Sequence, residues 1–133
     1  MEGIAFGTEN VFETYRENGY PVDEIYMGGG STNSDLFMQI HADVSNVVIN
    51  VPENQQVPCV GSAILAAVAA GEYKTIEDAV DNMVRFNKRI IPNPENHAKY
   101  KKIFAQYKKA YKEFGGWMRD TSNLFSEVND DAN

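Results

Sequence analysis

Residues 25–35 read Ile25-Tyr26-Met27-Gly28-Gly29-Gly30-Ser31-Thr32-Asn33-Ser34-Asp35. A short apolar strand runs into three consecutive glycines, a polar turn and the opening of a helix. Glycine lets the backbone take positive φ and approach a ligand with no Cβ in the way. A strand that ends in such a turn and feeds a helix N-terminus suits a phosphate or a nucleotide. The spacing matches neither G-x-G-x-x-G nor G-x-x-x-x-G-K-[ST], so neither of those phosphate-binding patterns applies. On the glycines alone, a nucleotide site and a merely tight strand-to-helix turn both stay open.

Working outward, Ser34 is a good N-cap for a helix over residues 35–45, with Leu36, Phe37, Ile40 and Val44 on its apolar side. Asp35 in the first turn suits the positive end of the helix dipole. The same carboxylate would repel a phosphate seated there, so a nucleoside moiety is the easier ligand to place. Val47 to Val51 is a β-branched run and reads as a strand. Strand, helix and strand in this span make a βαβ unit, which predicts a parallel pair.

Upstream, Ile4, Val11, Phe12 and Tyr15 fall at helical spacing over residues 2–18, and Gly19 and Pro21 stop that helix. Downstream, residues 52–58 read as a polar loop. Residues 60–70 form a helix of small side chains closed by Gly71, suited to a packed interior position and equally able to line a cleft. Thr75 caps another helix that carries Ala79, Val80, Met83 and Val84 inward. Asn93 followed by Pro94 opens the last long helix. There Tyr100, Ile103, Phe104, Tyr107, Tyr111 and Phe114 form a stripe, read as packed, among solvated lysines at 99, 101, 102, 108, 109 and 112. Gly115-Gly116 is expected to end that helix, giving a domain over residues 1–118 and a loose, polar, acidic tail over 119–133.

Composition narrows the function. A chain of 133 residues with 43% apolar content is one globular domain or part of one. Its formal net charge of −7 argues against nucleic acid as the main partner. Cys59, the single cysteine, cannot form an internal disulfide, which fits a reducing, cytoplasmic setting. It reads as a small buried side chain beside Val57 and Val60, with no His or Asn placed to activate it. Met1-Glu2-Gly3 opens without the basic and apolar regions of a signal peptide. The apolar run from Ala63 to Ala70 is too short to span a membrane. His41 and His97 read as surface or packing residues, and with no Cys/His cluster no metal site is expected. No catalytic residue is expected either: near the glycine turn there is no acid/base pair and no activated nucleophile. Only two strands are visible, too few to bury both faces of a parallel sheet. The chain therefore reads as half of a site, exposing apolar surface through which it would self-associate as a homo-oligomer.

The ordered motifs carry a resemblance. Met27-Gly28-Gly29-Gly30-Ser31, the helix with Gln39-Ile40-His41-Ala42-Asp43, the strand end Val51-Pro52-Glu53, and Val60-Gly61-Ser62-Ala63-Ile64-Leu65-Ala66-Ala67 resemble the C-terminal domain of the FGGY family of carbohydrate kinases. Glu2-Gly3-Ile4-Ala5-Phe6 is similar to the family's E-G-x-A-F helix. The last helices, from Pro94 to Tyr111-Lys112-Glu113-Phe114, look most like the ribulokinase branch. The resemblance covers residues 2–118. It departs at Val60-Gly61-Ser62-Ala63, where relatives carry Leu-Gly-Ala-Ala, a conservative change.

The resemblance implies an α/β fold: a partial actin-like ATPase (RNase H-like) domain, with a βαβ core and additional C-terminal helices. It implies that ATP and Mg2+ lie in a cleft between two such domains of the full-length enzyme, which transfers phosphate to a sugar hydroxyl of ribulose or another pentulose. It also implies that Gly28, Gly29 and Gly30, with Ser31, Asn33 and Ser34, face the adenosine portion of the nucleotide. The family's D-x-G-T phosphate motif, catalytic aspartate and sugar-binding residues are not in this sequence, and the resemblance puts them in an upstream domain. Alone, the chain is expected not to phosphorylate sugars. The rival reading is a stand-alone nucleotide-binding or interaction module from a truncated kinase gene.

Overall fold

The computed structural model describes the backbone of residues 1–130 and the side chains through residue 124. It divides into two compact units, residues 1–97 and the residues from 98 onward. In the first unit the order is α1 (Glu2–Glu17), β1 (Glu24–Tyr26), a 3-10 turn (Gly30–Asn33), α2 (Asp35–Ser45), β2 (Val48–Pro52), α3 (Val57–Ala69), α4 (Ile76–Met83) and β3 (Phe86–Ile90). A long helix, α5 (Pro94–Asp130), begins there and makes up the described part of the second unit.

The core is one-sided. β2 lies between β1 and β3. Successive strand residues point to opposite faces, and the set Val47, Ile49 and Val51 is at most 1% exposed, packed on Met38 and Ala42 of α2. Phe12, Ile25, Met27 and Ile90 close the edges of that cluster. The other face carries Tyr26 and Phe86, 66% and 52% exposed, with ring centroids 5.3 Å apart.

The parallel pair is present as expected, Glu24 opposite Val48 and Tyr26 opposite Asn50. A third strand, β3, joins β2 antiparallel, with Ile49 opposite Ile90 and a register shift between Val51 and Pro52. This corrects the two-strand expectation. Phe86-Asn87-Lys88-Arg89-Ile90 has polar residues at its centre because it is an edge strand with four exposed positions, so no apolar alternation marks it. The outer edge of β1 carries no partner strand among the described residues.

α1 ends in a Schellman motif, Tyr20 N–H donating to Tyr15 C=O at 3.0 Å and Gly19 N–H to Arg16 C=O at 3.1 Å. Its buried face is Ala5, Phe6 and Glu9, not the Ile4, Val11 and Tyr15 stripe, which is more than half exposed. Arg16 explains the burial of Glu9. Its guanidinium pairs with the Glu9 carboxylate at 2.8 Å and donates to Ser45 C=O at 2.9 Å, tying α1 to the end of α2. α3 starts at Val57 with Pro58 in its first turn, earlier than the loop reading allowed. Only Ile64 of α3 is buried, so the small-residue helix is not an interior element. Cys59 is exposed, not the buried side chain expected, since it lies off the side of that turn on which Val57 meets Gly28. α5 runs through Gly115 and Gly116 without either taking positive φ, so the helix expected to end there continues to Asp130. Residues 131–133 lie outside the described residues. Among the described residues no helix is long and apolar enough to cross a membrane.

Asp43, 2% exposed, secures the start of α5. One carboxylate oxygen accepts from Gln39 Nε2 at 2.7 Å and from Asn93 N–H at 2.7 Å, and the other from Asn96 Nδ2 at 2.9 Å. Gln39 Nε2 also donates to Ile91 C=O at 3.0 Å. His97 Nδ1, facing the Asp43 carbonyl at 3.0 Å, must be the donor there. The Gln39-to-Asp43 motif is thus a latch between α2 and the segment entering α5. Asp43→Ala removes the shared acceptor of three part-buried donors, of which Gln39 keeps its bond to Ile91 C=O, and the unfolding free energy should fall by about 1–3 kcal/mol. Urea titration followed by circular dichroism measures this; a loss near zero would remove the latch.

Candidate functional site

β1 delivers the chain to the glycine turn, its last hydrogen bond running from Met27 N–H to Asn50 C=O at 3.0 Å. Gly28 touches α3 so closely that a Cβ there would lie 2.2 Å from Val57 Cγ2. Gly29 has φ 94° and ψ −176°, a conformation open to glycine almost alone. Thr32, fully buried, then closes the turn: its hydroxyl donates to Gly29 C=O at 2.7 Å and its N–H to the same oxygen at 3.1 Å. Ser34 Oγ accepts from Phe37 N–H at 3.2 Å, the N-cap expected from the sequence. That bond uses an oxygen lone pair and leaves the Ser34 hydroxyl proton able to donate.

Two surfaces result. Gly30, Ser31 and Asn33 are exposed on the turn, with Ser34 half-buried behind them. On the other side, Gly28 lines a cleft of about 560 Å³ with Tyr26, Val57, Gly61, Val84 and Phe86. Asp81 and Arg85 are the charged residues on its wall. Of the six residues singled out in the sequence, only Gly28 lines this cleft; the other five belong to the turn itself. Val57 and Thr32 were missed, although a threonine three residues past a glycine in a turn is a recognisable side-chain-to-backbone signal. Asp35 is paired with Lys88 at 2.7 Å, but its side chain is 82% exposed and the pair is a surface one. Lys88 therefore tempers the negative charge beside the turn without removing it. His41 is buried on α2, its ring on Phe37 with centroids 4.2 Å apart and Nδ1 donating to Phe37 C=O at 2.9 Å, a packing role as expected. Among the described residues no three His, Cys, Asp or Glu side chains are grouped to hold a metal ion.

A parallel strand pair thus leads through a glycine turn into a capped helix. The profile of the FGGY family of carbohydrate kinases, C-terminal domain, matches residues 1–70, and the chain belongs to that family. It is 40% identical over 121 residues to the ribulokinase of Bacillus licheniformis, covering 86% of this chain and 22% of that protein. It is 34% identical over 111 residues to the xylulose kinase of Bacillus subtilis, covering 84% of this chain and 22% of that one. Among solved structures, gluconate kinase from Lactobacillus acidophilus superposes with a TM-score of 0.75 at 27% identity, over 85% of this chain and 23% of the kinase. The chain thus spans about a fifth of the length of the relatives it matches.

The close approach of Gly28 to Val57 generates a test. Gly28→Ala forces a methyl into Val57 and should destabilise the fold by about 1–3 kcal/mol. Adding Val57→Ala should restore at least half of the loss, a coupling readable in a double-mutant cycle by urea denaturation. Strictly additive losses would mean that the turn and α3 are not in contact.

Proposed function

We propose that this chain is the adenosine-side portion of an ATP-dependent carbohydrate kinase acting on ribulose or another pentulose, and that alone it does not phosphorylate sugars. The observation that carries the reading is the turn at Gly28–Ser34. A bare backbone, held by the Thr32 bonds to Gly29 C=O, presents Gly30, Ser31 and Asn33 to solvent beside a capped helix N-terminus. Gly30 is open: a Cβ built there meets nothing within 4 Å. A flat purine nucleoside can lie against such a surface, with the Ser34 hydroxyl and the Asn33 amide as hydrogen-bonding groups for its polar edge. The Asp35 carboxylate makes the same place unfavourable for phosphate.

Bound ATP supplies the phosphoryl group and its Mg2+ neutralises the phosphate charge. The residues of this chain orient the nucleoside, while phosphate and sugar contacts fall to the rest of a longer enzyme. Similarity to a ribulokinase and a xylulose kinase supports a pentulose as acceptor.

Isothermal titration of the chain with adenosine should give a dissociation constant on the order of 1 mM, about −4 kcal/mol. Gly30→Val should abolish it without lowering the denaturation midpoint, since the side chain enters open space. Absence of binding to the wild-type chain would sink the half-site. In a coupled assay with pentoses and pentuloses, sugar-dependent ATP turnover by the chain alone would overturn the predicted inactivity.

A further inference from the structure

The second unit carries an apolar face that the glycine turn does not explain. On α5, Tyr107, Ala110, Phe114, Trp117, Thr121 and Leu124 recur at alternating steps of three and four, and Ile103 extends the series one step upstream. That is the heptad seam of a coiled coil, sustained over three repeats. Much of it faces water: Phe114 is 59% exposed, Trp117 69% and Leu124 61%, and beside the seam Tyr111 and Met118 are 71% and 55% exposed. A contiguous aromatic patch on a helix surface marks an interaction site.

Charge identifies the occupant. Residues 98–112 hold six lysines (99, 101, 102, 108, 109 and 112) and no acid. Residues 113–130 hold Glu113, Asp120, Glu127 and Asp130 against the single Arg119. A second copy laid antiparallel sets the basic half of each helix on the acidic half of the other. A parallel copy would stack like on like. The seam has the same symmetry. With a two-fold axis between Gly115 and Gly116, Phe114 faces Trp117, Ala110 faces Thr121 and Tyr107 faces Leu124. Each pair recurs on both sides of the axis, as an isologous interface requires.

We propose that α5 is a self-association helix, pairing antiparallel with α5 of a second copy along the Tyr107–Leu124 seam. The homo-oligomer expected from the sequence then forms through this helix and not through the open edge of β1.

The full chain in sedimentation equilibrium should be a dimer that weakens as salt rises. Trp117, its only tryptophan, should shift its fluorescence to the blue as the dimer forms. Phe114→Glu with Trp117→Glu should raise the dimer dissociation constant about 100-fold or more while leaving the fold intact by circular dichroism. In a Cys59→Ser background, Ala110→Cys mixed with Thr121→Cys should cross-link under mild oxidation, and neither variant alone should. A chain that is monomeric at every concentration would overturn the proposal. So would a dimer untouched by the Glu pair, or cross-linking of Ala110→Cys to itself.

Discussion

The structure depends on burying one face of β2. Val47, Ile49 and Val51 are sealed against Met38 and Ala42, so the strand cannot slip by one residue without turning its apolar set to water. That register fixes β1 beside it, and the end of β1 fixes where the glycine turn begins. Gly28 then rests on Val57, and Thr32 holds the Gly29 carbonyl. The residues of the turn are thus placed by that core together with the Val57 and Thr32 contacts.

The opposite face is far less covered. Tyr26 and Phe86 meet at a tilt, both more than half exposed, and α3 and α4 leave a cleft against them. The exposed α5 stripe is separate: it lies in the other compact unit and carries its own charge pattern.

Much of this was legible in the sequence. Ser34, Thr75 and Asn93 were readable as caps because short polar side chains before an apolar period have one economical use, and each accepts the expected backbone N–H. The β-branched run of β2 and the glycine turn gave the parallel pair and its connection. β3 was illegible because an exposed edge strand needs no apolar alternation. The outward-facing Cys59 and α3 were illegible because small apolar residues are tolerated on either side of a helix, and only the packing decides. Gly115-Gly116 resembled a stop, but glycine ends a helix when it takes positive φ. Here the helical pattern of Trp117, Met118 and Thr121 carries on, with Thr121 Oγ1 donating to Trp117 C=O at 2.9 Å. At the site, the glycines announced a close approach without saying to what. One of them meets Val57, and that contact between segments 29 residues apart has no local signature.

The central claim is that the Gly28–Ser34 turn is a nucleoside-binding surface. Titrating adenosine into uniformly 15N-labelled chain and following the amide resonances tests it most directly. The account predicts saturable shifts concentrated at Gly29, Gly30, Ser31, Asn33 and Ser34, with the α5 resonances unmoved. No shifts at the turn, or shifts centred elsewhere in the chain, would contradict it.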